Sequence, residues 1–358
     1  MAYDFFPKNK DEIIKKLASW KEEQKVEVIR VFDLLKNDFE TPVNIDIGIK
    51  TLINVSRQLQ GQYTIEGIKS KANLRNIKIK FGNGSSGNRG SNNRGNLFEK
   101  QFKDGLDDWW EGKPIQDKAI TDAIDDLDKT YKLKKCTEFR AEVLGGENTK
   151  RPLVYKGNNI VLSNPKGSGN DIGKSITDIT ITTCQGPIYL SLKLGGTTTF
   201  FNVGVKKVLT TQEIKSGIIK NKEGLILLNL FGIDPKLFCD VFNGNLKKAV
   251  VDTKAKYNKT GIIQLLQSGI GYNYHIIHRY PNKIISKKMD KSAMQKAANI
   301  GKVTVYYGGK TGTGKRVDIE FQSSTYKFKL NMRDTQGKDG YPTRLMCDFS
   351  YKWNSQAL

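Results

Sequence analysis

Histidine is almost missing from this chain: His275 and His278 are the only two among 358 residues. Hydrolysis by a Ser-His-Asp triad, or by a histidine-based nuclease site, therefore has little to draw on. Cysteine is also scarce. Cys136, Cys184, Cys239 and Cys347 lie far apart, without CxxC or another zinc-ligand spacing, and suit free thiols in a reducing interior. No apolar run approaches the roughly 20 residues that a spanning helix needs. The opening MAYDFFPKNKDEI has no secretory apolar stretch. The expectation is a cytoplasmic protein with no membrane partner, located in a host cytoplasm or virion if the Lys/Asn/Ile-rich composition is that of a phage. Acidic residues are the last shortage: 37 Asp and Glu face 59 Lys and Arg, a formal charge of +22. Such an excess points to a polyanionic partner, because neutralised phosphates release counterions on association.

What is present falls into blocks. Residues 1–81 read as a helical region, with apolar residues recurring at threes and fours over 10–38 and a second helix over Ile49–Leu59. Residues 82–96 are rich in Gly, Asn and Ser and read as a linker. The stretch LFEKQFKDGLDDWW then places Phe98, Phe102, Leu106 and Trp109 on one helical stripe. An α/β core is expected over 97–215 and a helical segment over 216–300. An antiparallel β-region over 301–358 is expected from the alternation in KVTVYYG, RVDIEFQ, YKFKLNMR and TRLMCDFSYKW.

The most informative stretch is TDITITTCQGPIYLSLKL, from Thr177 to Leu194. Strand side chains alternate faces. Asp178, Thr180 and Thr182 share one face, and Tyr189, Ser191 and Lys193 share one face of the returning strand. Any antiparallel register that joins the apolar faces also joins the polar ones, setting Asp178 across from Ser191 or Lys193. An acid and a lysine on one patch of sheet suit metal-assisted phosphodiester hydrolysis.

Helix with Glu99, strand near Glu142, strand with Asp178 and strand ending Ser191-Leu192-Lys193: in this order the chain resembles the PD-(D/E)xK nuclease superfamily, which includes many restriction endonucleases and phage nucleases. The resemblance covers roughly residues 97–205. It implies an α/β, restriction-endonuclease-like mixed sheet flanked by helices, in the order αβββαβ. It also implies a Mg²⁺ site (Mn²⁺ as substitute) at Asp178, the main-chain carbonyl of Leu192 and Glu99, with Lys193 assisting the attacking water. The family most often has an acid where Ser191 stands here, and Glu142 or Asp171 are the carboxylates that would replace it. Each residue has a plainer reading. Asn96 to Glu99 fits a capping box, Asp178 a turn end, and Lys193 an exposed strand lysine.

DNA is the expected partner, with no nucleotide cofactor; a homodimer or virion assembly stays open. Phosphate contacts are expected from Lys150, Arg151 and Lys156, and from Thr197, Thr198, Thr199, Lys206 and Lys207 in LGGTTTFFNVGVKK. Phe200 and Phe201 read as core. Gly309 to Lys315 imitates a phosphate loop, but Arg316 stands where Ser or Thr should, and a strand follows. It is expected to be a hairpin turn. The HxxH pair has no third ligand of evident spacing and reads as structural. A cutting enzyme is the first expectation; the second is a non-catalytic DNA-binding or virion protein on a degenerate nuclease core.

Overall fold

A computed structural model describes residues 94–143, 150–195, 198–280, 283–309, 314–337 and 339–352, and the main chain of 43–47 and 77–81. The chain divides into two compact units, residues 1–93 and 94–358. In the first, β1 (Val43–Ile47) runs parallel to β2 (Ile77–Phe81), with Val43 opposite Ile77. This corrects the all-helical expectation for 1–81: Ile77, Ile79 and Phe81 alternate with lysines at the period of a strand. The helices expected at 10–38 and 49–59, and the linker up to residue 93, lie outside the described residues.

The second unit is mixed α/β. It opens with α1 (Arg94–Trp110) and α2 (Lys118–Tyr131), the latter capped by Asp117, whose side chain accepts from the N–H groups of Ala119 and Ile120. Strand β3 (Phe139–Val143) follows, then the hairpin β4 (Leu153–Lys156) and β5 (Asn159–Leu162). The short helix α3 (Gly173–Ile176) leads into β6 (Ile179–Thr183) and β7 (Gly186–Leu194). After β8 (Thr198–Gly204) come three helices, α4 (Thr211–Ser216), α5 (Lys222–Phe231) and α6 (Pro235–Asn243). Then follow β9 (Val250–Asp252), α7 (Lys259–Ile270), β10 (Tyr274–Arg279), β11 (Ile284–Met289) and α8 (Lys291–Ala298). The chain closes with β12 (Thr304–Tyr307), β13 (Arg316–Gln322), β14 (Tyr326–Arg333) and β15 (Arg344–Tyr351).

Two sheets organise these elements. One has the order β11-β10-β7-β6-β3. Its β3–β6 and β6–β7 pairs are antiparallel, whereas β10 lies parallel to β7, which a crossover connection must achieve. The other sheet has the order β8-β15-β14-β13-β12-β9. The segments expected as separate domains are therefore interleaved. Strands from 216–300 complete both sheets, and β8 pairs with β15 from the far end of the chain. The expected helical character of 216–300 missed β10 because YHIIHR is covered on both faces and so lacks alternation.

Each face of the first sheet has its own core. Phe98, Phe102 and Leu106 of α1 and Ile120, Ile124 and Leu127 of α2 pack on Ile179, Ile181, Leu190, Leu192 and Ile277. The opposite face packs through Tyr274, Ile276 and Met289 against the second sheet and helices α4 to α8. Phe200 stacks on Phe349 with ring centroids 3.8 Å apart, and Phe201 is buried, as expected for core residues. No helix among the described residues is long and apolar enough to cross a membrane.

Candidate active site

Asp178 lies in the bend between α3 and β6. Its main-chain N–H donates to the Leu190 carbonyl at 2.8 Å, so the ladder already holds it in place. Continuing the register that pairs Ile179 with Leu190 sets Asp178 opposite Ser191, with Lys193 further along the same face. Of the two partners the sequence allowed, the directly opposed one is Ser191. The carboxylate is buried, with Asp178 only 8% exposed. Its Oδ2 accepts from the Leu192 N–H at 2.7 Å and from the Ser191 hydroxyl at 3.4 Å. Asp178 thus also stitches the two strands together.

Glu99, on α1, is electrostatically coupled to this patch. The helix starts at Arg94, so Asn96 is inside it rather than at its cap, and the expected capping box does not form. The buried stripe of Phe98 and Phe102 fixes the roll of α1 against the sheet and leaves Glu99 half-buried beside it. Burial, and after it the negative charge of Asp178, push the Glu99 carboxyl from 4.5 up to about 7, while Lys193 pulls it part of the way back. Groups from α1, the start of β6 and the end of β7 therefore share one electrostatic neighbourhood.

His278 borders Lys193 on the other side, as its partner in the parallel β7–β10 pairing. Its Nε2–H donates to the Gly195 carbonyl at 2.6 Å, and its ring stacks on Tyr280. Burial lowers its pKa to about 4; the Gly195 hydrogen bond opposes this and Lys193 reinforces it. His275 points to the opposite face, where Nε2 meets the Ser286 hydroxyl at 2.8 Å and the ring meets Tyr131 edge-on. Three positions apart on one strand, the two histidines cannot share a metal ion.

The replacement carboxylates sit apart from this cluster in different ways. Glu142 is opposite Thr180 on the edge strand β3, on the face of Asp178, and forms an ion pair with Arg140. Asp171 accepts from the Asn273 side-chain amide at 3.0 and 3.1 Å. It lines a separate 680 Å³ cleft with Tyr189, Tyr272 and Lys288 at the Pro187 end of β7.

Among the described residues, no three His, Cys, Asp or Glu side chains group to hold a metal by themselves. Magnesium asks for less: one or two carboxylates, other oxygens and retained water. Glu99, Asp178 and the Leu192 carbonyl fit that demand. The raised Glu99 pKa comes first from burial and second from the negative charge of Asp178, which places the two carboxylates in one electrostatic neighbourhood.

Arg279 is a residue the sequence did not flag. Its Nη2 donates to Asp117 at 2.6 Å, its guanidinium lies 5.6 Å over the Phe98 ring, and its carbonyl accepts from Gly195 N–H at 3.0 Å. It thereby ties the α1–α2 connection to the end of β7. Its Nη1 is buried without a hydrogen-bond partner. Only the β7–β10 pairing makes it a neighbour of the site, and that pairing leaves no local mark in sequence.

The expected phosphate contacts divide. Arg151 is corrected to a structural staple: its Nε donates to the Ser163 carbonyl at 2.9 Å and its Nη2 to that of Ser268, and burial lowers its pKa to about 10. Lys150 and Lys156 remain exposed beside it. Thr198 and Thr199 belong to β8, and the Thr199 hydroxyl donates to Asp348 at 2.6 Å. Lys206 and Lys207 are exposed just beyond β8, and Thr197 lies outside the described residues. The phosphate-loop imitation joins β12 to the antiparallel β13, as expected of a hairpin, with its tip at 310–313 outside the described residues. Comparison of the chain with protein-family models, curated proteins and solved structures gives no match.

Proposed function

We propose that this chain is a Mg²⁺-dependent endodeoxyribonuclease of PD-(D/E)xK type, with Mn²⁺ as a substitute. The observation that carries this reading is the electrostatic coupling of Glu99 on α1 to Asp178 before β6 and Lys193 near the end of β7. The order α1, β3, β6, β7, α7, β10, with hairpin β4–β5 and other segments inserted, also agrees with αβββαβ. Asp178, Glu99 and the Leu192 carbonyl would hold the ion, which when bound would polarise the scissile phosphate and acidify an attacking water. Lys193 supplies a fixed positive charge where negative charge develops on the phosphate. Ser191 orients Asp178 through its hydroxyl instead of adding a charge of its own. A chain of charge +22 supplies long-range attraction for the DNA.

The Ser191 substitution favours one second reading, a DNA-binding or virion protein on a nuclease core that no longer cuts. Supercoiled plasmid with Mg²⁺ or Mn²⁺ separates the two. Wild type is expected to nick or linearise it, and Asp178→Ala and Lys193→Ala to lose about 10²–10³-fold in rate. Equal inertness of wild type and variants, with DNA binding retained in all, would establish the non-cutting reading.

A further inference from the structure

The second sheet places three arginines side by side. Arg316 on β13 is opposite Arg333 on β14, and Arg333 is opposite Arg344 on β15. Residues in direct register point to the same face. Val317, Met332 and Leu345, next in sequence to each, are all in the apolar core, so the arginines lie on the outer face. Like charges directly opposite each other destabilise a sheet, and among the described residues only Arg316 of the three has a carboxylate partner, Asp318, to which both its Nε and its Nη2 donate. The Nε contact is 2.9 Å, but Lys329 shares that carboxylate at 3.6 Å. Among the described residues the Arg333 guanidinium meets only the Met346 sulfur, through Nη2 at 3.8 Å, and its Nε is buried without a hydrogen-bond partner. Arg344 forms no ion pair among the described residues.

The surroundings are open to an anion. The next position of the row, opposite Arg344 on β8, is Gly204, so no side chain closes the strip there. Beside Arg316 and Arg333 lies a 420 Å³ cleft, to which Lys315 adds another positive charge. Asp334, the acid in its wall, turns its carboxylate onto the main-chain N–H groups of Gln336, Gly337 and Gly340. At about 4.8 Å between strands the row spans about 10 Å, room for more than one phosphate of a polymer.

We propose that Arg316, Arg333 and Arg344 form an anion strip that seats the phosphodiester backbone of DNA. The strip shares the DNA partner of the cutting reading but none of its chemistry, and the test needs no divalent ion. Binding of the full chain to a short labelled duplex is measured in EDTA across a salt series. Arg333→Gln/Arg344→Gln is expected to weaken binding at least tenfold and to lower the log–log salt slope by about 2. Arg333→Lys/Arg344→Lys, with its charge kept, should retain the wild-type slope. Matching thermal melts for the two double variants confirm that folding is intact. A wild-type slope in the glutamine variant would overturn the proposal, as would a wild type that binds no duplex. Capture of polyglutamate but not duplex by the same arginines would overturn it in favour of an acidic protein partner. A wild type that binds duplex through this strip but cuts no plasmid with Mg²⁺ or Mn²⁺ would sink the nuclease reading alone.

Discussion

Glu99 is poised between two charges of opposite sign, and its burial decides which protonation state the fold prefers. The folded-state pKa of about 7 exceeds the ordinary 4.5. The protonated carboxyl therefore contributes stability that is complete below about 4.5 and lost as pH rises through about 7. Glu99→Gln keeps the neutral shape at every pH. At pH 8 without divalent ions this variant should be more stable than wild type, by on the order of 1 kcal/mol after solvent screening of a half-buried group. Adding Mg²⁺ should narrow or reverse the difference, because a cation favours the charged carboxylate and the glutamine offers it less. Denaturant titration at pH 8 with and without Mg²⁺ measures both effects. A glutamine variant less stable than wild type in the ion-free arm would mean that Glu99 is not crowded there.

At the scale of elements, the site depends on how α1 docks on β6 and β7. Phe102 is fully buried and meets Phe98 edge-on, at 6.0 Å between centroids. Phe102→Ala should cost about 3–5 kcal/mol and reduce cutting beyond that loss of fold, since Glu99 rides on the same helix. Leu97→Ala, on the 48% exposed neighbour, should stay within about 0.5 kcal/mol. Urea midpoints for the two would discredit the docking if they fell together. This part of the molecule was legible in the sequence because β6 and β7 alternate apolar with polar residues, and α1 does so at helical spacing, so each writes its period into the residue pattern. That pattern brought out the Asp178–Ser191–Lys193 face and the stripe of α1. Strand β10, covered on both faces, shows no such alternation, so His278 and Arg279 could not be placed beside Lys193. The arginine row was legible only in part: Arg333 and Arg344, with Lys327 and Lys329, read from sequence either as a DNA-facing β-ribbon or as a charged sheet edge, but Arg316 joins them only through strand pairing, which spacing along the chain does not report.

Across the whole second unit, the fold buries titratable groups that pull stability in opposite directions. His275 and His278 are buried, and burial lowers each from 6.5 to about 4. Neutral in the fold and charged when unfolded, they contribute stability that is present above about 6.5 and lost as pH falls through about 4. Glu99 works the other way, losing its contribution between about 4.5 and 7. From 4.5 to 6.5 two histidines outweigh one glutamate, so stability should climb with pH. From 6.5 to 7 Glu99 is the one of these three groups still titrating, and their summed contribution should dip. A shallow maximum near pH 6.5 is therefore expected in the urea midpoint of the full chain without divalent ions. Glu99→Gln should replace the dip by a plateau and leave the acid limb in place. His278→Gln should flatten the acid limb and spare the dip, since it removes one of the two histidine contributions and leaves Glu99 and Asp178 as they are. A wild-type midpoint that rises steadily through pH 8 would contradict the crowding of Glu99. One that falls steadily from pH 5 would contradict the burial of both histidines between the helices and the second sheet.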